Sequence, residues 1–312
     1  MSQKRIALLF SGQGAQTVGM GRDLAAAFPG AAALFNRADT LLGYSLSSIA
    51  WEGPEAALTE TRHCQPALYI HGLACLEALR SLAGPFEFHA AAGLSLGEFT
   101  AHAAAGTFDF ETGLRLVAQR GAFMQEACEA TAGAMAAMIG GDEAAVVQLA
   151  ADCGVDVANY NCPGQLVLSG DKEGIARSVA LAKERGVRMA KPLNVAGAYH
   201  SKLMQSAASK LSGVLAGIEF ARPGCVVYSN VDALPVSGAE DIRSTLERQV
   251  TGSVRWTQTL ERLLEEERCD LFLELGPGGV LAGLLGRTRK GVPCVSVSDA
   301  ASVAAAAEAL RA

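Results

Sequence analysis

No stretch of this chain approaches the roughly 18 uninterrupted apolar residues that a membrane span needs. The Ala-rich segment 101–105 is broken by His102 and closed by Gly106. The apolar run Ile6 to Phe10, which follows Lys4 and Arg5, is too short for a signal-peptide core and reads as a strand. C-x-x-C pairs are absent, and none of the eight cysteines (64, 75, 128, 153, 162, 225, 269 and 294) has companion histidines at metal-ligand spacing. The thiols are therefore expected to be reduced and mostly buried, and no metal is expected. Aromatics are sparse at 6% and charged residues reach only 19%, with 26 Lys and Arg against 32 Asp and Glu for a net charge of −6. Such a field repels nucleic acid and anionic lipid, so neither a nucleic-acid nor a membrane partner is expected, and an anionic ligand must be met by local charge. The expected location is cytoplasmic.

Half of the residues are apolar and mean hydropathy is +0.23, which excludes disorder. At about 150 residues per domain, the length fits two compact units or one large unit with an insertion. Apolar runs alternate with helical patterns in α/β fashion: strand 6–10, helices near 31–42 and 66–82, strand 88–93, then helices following Ser95 and Asp109. Near Gly133 the rhythm changes to strand 134–139, helix 142–152, strand 155–158, a turn at Asn161-Cys162-Pro163-Gly164, strand 165–169, helix 171–185 and strand 188–193. That order is βαββαβ, the split unit of ferredoxin-like folds. The expectation is thus a large α/β-hydrolase-like lobe with a parallel sheet core (1–127 and 197–312) interrupted by an inserted ferredoxin-like lobe (128–196). The large lobe is expected to resume with strand 226–230, a helix near 257–267, strand 271–275 and a final helix from Ala300.

Gly93-Leu94-Ser95-Leu96-Gly97 fits G-x-S-x-G between a strand and a helix, the setting of a nucleophile elbow. There the glycines relieve crowding, and the hydroxyl sits at a helix N-terminus that favours developing negative charge. An ordinary Gly-rich turn is the plainer alternative. Serine needs a base, and the chain has five histidines, 63, 71, 89, 102 and 200. His71 and His102 sit in helical patterns, His63 in a loop and His89 at a strand start, all ordinary structural positions. His200 lies where the inserted lobe rejoins the main one, beside the expected cleft, and is the best base candidate. Ser11-Gly12-Gln13-Gly14-Ala15-Gln16 lacks the third glycine of a dinucleotide fingerprint, Thr17 standing in its place. A glycine-flanked amide at the end of the first strand suits an oxyanion hole better. Gly276-Pro277-Gly278-Gly279 lacks the ending of a phosphate loop and reads as a strand-to-helix turn. Arg120 is flanked by apolar and small residues (Leu116, Val117, Ala118, Gly121, Ala122), which suggests a buried cation awaiting an anionic partner rather than a solvated face.

Taken in order, Gly12-Gln13-Gly14-Ala15-Gln16, Gly93-Leu94-Ser95-Leu96-Gly97-Glu98, Gln119-Arg120, Asn159-Tyr160-Asn161, Gly197-Ala198-Tyr199-His200-Ser201, Gln249 ahead of Val254-Arg255-Trp256, and Gly276-Pro277-Gly278 resemble the malonyl-CoA:acyl carrier protein transacylases of fatty-acid and trans-acting polyketide synthesis. The resemblance runs from about residue 5 to about residue 298.

The resemblance implies ping-pong transfer of a malonyl group from malonyl-CoA to the phosphopantetheine thiol of acyl carrier protein, with Ser95 as nucleophile and His200 as base. It implies that a backbone carbonyl at Gln249 orients His200, that the N–H groups of Gln13 and Leu96 hold the oxyanion, and that Arg120 clamps the malonyl carboxylate. Gln119, Asn161 and Tyr199 would contact substrate. No cofactor is implied, the CoA thioester being a substrate. The chain departs from the family pattern at Leu94, where many members carry His, at Tyr199, where malonyl-selective members usually carry Phe, and at Gly279, often Lys. Basic residues that would meet an acidic carrier protein are Arg188, Lys191 and Lys202, and Arg287, Arg289 and Lys290. Two other functions stay open, an acyl hydrolase on the same scaffold and a catalytically silent docking subunit. An unrelated esterase fits poorly, because His200 is the last histidine and lies far from the C-terminus.

Overall fold

A computed structural model describes residues 4–311; Met1, Ser2, Gln3 and Ala312 lie outside the described residues. Two sheets organise the chain. The first is a five-stranded parallel sheet of β1 (Ile6–Phe10), β2 (Ala90–Gly93), β7 (Val226–Val227), β8 (Leu271–Leu275) and β9 (Cys294–Val297), in the spatial order β7-β2-β1-β8-β9. β1 and β8 are buried at every position, as expected of parallel strands covered on both faces. The second sheet is four-stranded and antiparallel, with β3 (Gly133–Ile139), β4 (Asp156–Cys162), β5 (Gln165–Asp171) and β6 (Met189–Pro192) in the order β4-β5-β3-β6.

Helices α1 to α4 (Arg22–Ala27, Pro29–Leu42, Leu46–Glu52, Glu55–Thr59) and the long α5 (Thr61–Ala83) lie between β1 and β2. β2 is followed by α6 (Leu96–Ala104) and α7 (Phe110–Ala130), and α8 (Glu143–Cys153) and α9 (Lys172–Leu181) belong to the second sheet. Then come α10 (Gln205–Leu215), α11 (Ala239–Gln249), α12 (Trp256–Glu265), α13 (Val280–Thr288) and α14 (Ala300–Arg311). No described helix is long and apolar enough to cross a membrane.

The differences from the sequence-based expectation have identifiable causes. The helix expected from residue 66 begins at Thr61 and carries Pro66 inside it, so His63 is helical and not in a loop. β4 continues through Asn159, Tyr160 and Asn161, moving the expected turn to Pro163-Gly164. Its extension is fixed from outside its own sheet: Tyr160 N–H donates to the Val254 carbonyl at 2.9 Å and Val254 N–H to the Ala158 carbonyl at 2.8 Å. The strand expected at 226–230 stops at Val227, which frees Asn230 to turn inward. Helices α1, α3, α4, α10 and α11 and strand β9 have no counterpart in the sequence-based expectation; α11 is polar on most of its surface and buries only Ile242, Thr245, Leu246 and Gln249.

In an open parallel sheet, ligands bind beyond the carboxyl ends of the strands. β1, β2 and β7 all run toward the same edge, and the segments leaving them carry Gln13, Ser95 and Asn230. The approach of α6 to β1 requires glycine: a Cβ at Gly97 would sit 2.1 Å from the Phe10 carbonyl oxygen, and one at Gly93 2.0 Å from the Gly97 carbonyl. Gly97→Ala should therefore force backbone apart and cost about 1–3 kcal/mol. Thermal unfolding followed by circular dichroism checks this, with a fall of several degrees in Tm expected; an unchanged Tm would refute the close approach.

Candidate active site

Ser95 occupies the turn between β2 and α6 with φ 55° and ψ −105°, a conformation uncommon and strained for a residue with a Cβ. Its backbone is gripped from both sides. Its N–H donates to Asn230 Oδ1 at 2.7 Å, and its carbonyl accepts from Gln249 Nε2 at 2.9 Å. Asn230 is in turn fixed by donating to the Gly93 carbonyl at 2.8 Å.

The hydroxyl lies between a base and a cation. Ser95 Oγ is 2.8 Å from His200 Nε2 and accepts from Arg120 Nη2 at 3.1 Å. His200 also has a positive φ of 55°. Its Nδ1 is 2.8 Å from the Gln249 carbonyl oxygen, which can only accept, so the proton resides on Nδ1 and Nε2 faces the serine as an acceptor. Burial, with the positive charge of Arg120 added to it, lowers the imidazole to about 4, leaving it neutral at physiological pH.

Arg120 is 1% exposed. Nη1 donates to Gln65 Oε1 at 2.7 Å and Nη2 to Gln249 Oε1 at 2.8 Å, while Cζ lies 5.1 Å from the centre of the Phe99 ring. All its protein acceptors are neutral. Burial lowers its pKa to about 10, still well above neutrality, so it stays a cation. Behind it Glu98 is fully buried, with Oε2 accepting from Gln249 Nε2 at 2.6 Å and from Asn230 N–H at 3.0 Å.

A cavity of about 260 Å³ opens in front of Ser95 and His200, lined among others by Met124, Asn161, Gln165 and Tyr199. Tyr199 is anchored through its hydroxyl to Thr61 Oγ1 at 2.6 Å, and Gln13 Nε2 donates to it at 3.3 Å. The backbone N–H groups of Gln13, in the turn after β1, and Leu96, the first residue of α6, meet no acceptor among the described residues, leaving both free for a ligand. Among the described residues no cluster of three or more His, Cys, Asp or Glu could hold a metal.

The structure thus brings together Ser95, His200, Gln249, Arg120, Gln13, Leu96, Tyr199 and Asn161. Gln119 it does not: one position from Arg120 on α7, it is rotated about 100° around the helix, is exposed, and does not line the cavity. Residues that sequence reasoning passed over are Asn230, Gln65 and the carboxylate of Glu98. A Glu one turn after the nucleophile in an otherwise apolar helix was the available signal for Glu98. Asn230, at a strand end with no motif, gave none.

An acyl transferase domain family model matches residues 7–308. The chain belongs to the acyl transferase family. A malonyl CoA-acyl carrier protein transacylase of Bacillus subtilis (strain 168) is 39% identical over 312 residues, covering 98% of this chain and 98% of that protein. Among solved structures, the malonyl CoA-acyl carrier protein transacylase of Coxiella burnetii superposes with a TM-score of 0.95 at 33% identity, covering 99% of this chain and 98% of its own. A malonyl-transacylase solved in complex with its type II polyketide acyl-carrier protein gives 0.93 at 39% identity, over 98% of this chain and 99% of that one.

The His200 geometry is checked by nitrogen NMR of the imidazole. At pH 7 a neutral ring with its proton on Nδ1 is expected, titrating near 4; a ring that titrates near 6.5 would contradict the burial and hydrogen bonding described.

Proposed function

We propose that this acyl transferase moves a malonyl group from malonyl-CoA to the phosphopantetheine thiol of an acyl carrier protein through an acyl-serine intermediate. The observation that carries it is the placing of Ser95 Oγ between the neutral Nε2 of His200 and the guanidinium of Arg120. In the first half-reaction His200 Nε2 takes the Ser95 proton while Oγ attacks the thioester carbonyl. The C–S bond then breaks, and the departing CoA sulfur takes the proton back from His200. In the second, the carrier-protein thiol gives its proton to His200 and attacks the acyl ester, and Ser95 regains the proton as its C–O bond breaks. The free N–H groups of Gln13 and Leu96 supply the oxyanion donors, by analogy about 2.7–4 kcal/mol each.

Arg120 does not itself line the cavity but stands behind Ser95, to whose Oγ it donates. A malonyl carboxylate would take the guanidinium edge now shared with neutral acceptors, exchanging neutral hydrogen bonds for charge-assisted ones. A neutral acyl group gains nothing from that exchange. The solved transacylase–carrier complex supports acyl carrier protein as the second substrate. Arg287 fits the rim of its route, since its guanidinium donates to the cavity-lining Gln165. Lys191 on β6 and Arg188 just before it are exposed, whereas Lys202 donates to the Gly154 carbonyl and Arg289 is engaged with Glu265. The reading includes the division into an α/β-hydrolase-like lobe (1–127 and 197–312) and a ferredoxin-like lobe (128–196), supported by the βαββαβ order of β3 to β6. It also includes a cytoplasmic setting and no cofactor.

Brief incubation with malonyl-CoA should add about 86 Da to the intact protein, the increment of a covalent malonyl ester. Peptide mapping should place it on Ser95, with Ser95→Ala abolishing it and His200→Ala slowing it by orders of magnitude; an adduct elsewhere refutes the assignment. Arg120→Ala should lower malonyl transfer far more than acetyl transfer, by about 1.5–3 kcal/mol or more. Equal losses for both acyl groups would make Arg120 a structural support only.

A further inference from the structure

Arg120 and Glu98 are a buried cation and a buried carboxylate that do not touch. One amide separates them: Glu98 Oε2 accepts from Gln249 Nε2 at 2.6 Å, and Gln249 Oε1 accepts from Arg120 Nη2 at 2.8 Å. No carboxylate of the described residues forms an ion pair with Arg120 within 4.0 Å, and Glu98 is the carboxylate that acts on it electrostatically. The second oxygen of Glu98, Oε1, is buried without any hydrogen-bond partner.

We propose that Glu98 is the exchangeable counter-charge of Arg120: when a carboxylate-bearing acyl group binds the guanidinium, Glu98 takes a proton from solvent onto its unpartnered Oε1. The proposal rests on Arg120 receiving the malonyl carboxylate. Before binding, Arg120 and an ionised Glu98 sum to zero. A second carboxylate would leave a net negative charge in a closed interior, which is costly unless one acid is neutralised. The substrate carboxylate receives direct charge-assisted bonds, so it keeps its charge and Glu98 gives way. A proton on Oε1 leaves the two existing hydrogen bonds in place, since those from Gln249 and from the Asn230 backbone arrive at Oε2.

The surroundings favour a proton that comes and goes. From α7, Arg120 stabilises the ionised form; from the segment after β7, Asp232 opposes it; from α11, Gln249 donates to it, with the Arg248 charge farther out. His200, hydrogen-bonded to Ser95 Oγ, is the competing site for the same proton. Burial already pushes the Glu98 carboxyl up to about 7, against these hydrogen bonds and the Arg120 charge. Partial withdrawal of Arg120 by a substrate carboxylate raises it further. Specificity for malonyl over a neutral acyl group then depends on pH: affinity for malonyl-CoA weakens as pH rises through and above 7, because the required proton becomes scarcer.

The test is titration calorimetry of the Ser95→Ala full chain, which cannot be acylated at that position, with malonyl-CoA and acetyl-CoA in buffers of different ionisation enthalpy at pH 8. Acetyl-CoA carries the same phosphates, so the difference isolates the acyl carboxylate. Malonyl-CoA is expected to take up about 0.5–1 proton per site more than acetyl-CoA, with a malonyl-CoA Kd that rises about 3–10-fold per pH unit relative to acetyl-CoA. Adding Glu98→Gln, which is isosteric and can keep an acceptor oxygen toward Gln249 and Asn230, should remove the excess uptake and the relative pH dependence together. Equal uptake for the two thioesters overturns the proposal, and so does an excess that survives Glu98→Gln, which would place the proton on His200. If the two thioesters bind equally well and Arg120→Ala changes neither, the malonyl reading of the site fails, and this inference with it.

Discussion

A buried guanidinium, a buried carboxylate and a strained serine share one small interior, and each is costly unless its hydrogen-bonding capacity is met. The Gln249 amide meets much of it. Its Oε1 receives Arg120, and its Nε2 donates to the Ser95 carbonyl and to Glu98. Its backbone carbonyl holds the Nδ1 proton of His200. The orientation of this amide is fixed by chemistry, since turning it over would set an NH₂ group against the guanidinium and an oxygen against the carboxylate. Gln249, at the end of a helix, is thus the one residue among those described that touches nucleophile, base and cation alike, with Asn230 and Gln65 as further supports.

The two residues with chemical roles in the proposed reaction, Ser95 and His200, both hold a positive φ without being glycine. Such conformations cost of order 1–3 kcal/mol each and persist where surrounding structure over-determines them. Around Ser95 the determinants are identifiable as Asn230 on its N–H and Gln249 on its carbonyl. The strain lifts the hydroxyl to the helix N-terminus, beside the free N–H of Leu96, while burial keeps His200 neutral. Preorganisation of this kind places the cost in folding rather than in the reaction.

Much of this was legible in the sequence because it followed from periodicity or from a turn with steric demands. The βαββαβ order showed in short strand-like segments alternating with two helical patterns and turns, and the elbow showed because glycine is compulsory where α6 crosses the Phe10 carbonyl. What escaped has its own pattern. Helix α11 has helical spacing on its buried face, but only Ile242 and Leu246 there are apolar, and Gln249 at the end of that face is polar. The length of β4 depends on hydrogen bonds with Val254, nearly a hundred positions away. Gln119 shares a motif with Arg120, but adjacent helical residues face different directions. Asn230 and Glu98 act on the nucleophile from beneath, as partners of backbone and amide groups, and no spacing rule announces such partners.

The most direct test of this arrangement is single-turnover acylation of Ser95 in Gln249→Ala, followed with malonyl-CoA and acetyl-CoA. This change keeps the backbone carbonyl that orients His200 and deletes only the amide joining Ser95, Arg120 and Glu98. Acylation by both thioesters should slow, because Ser95 loses a support of its strained backbone, and malonyl should lose more than acetyl, because Arg120 loses its alignment and its link to Glu98. Unchanged rates with unchanged preference for malonyl would show that the amide is not what holds the site together.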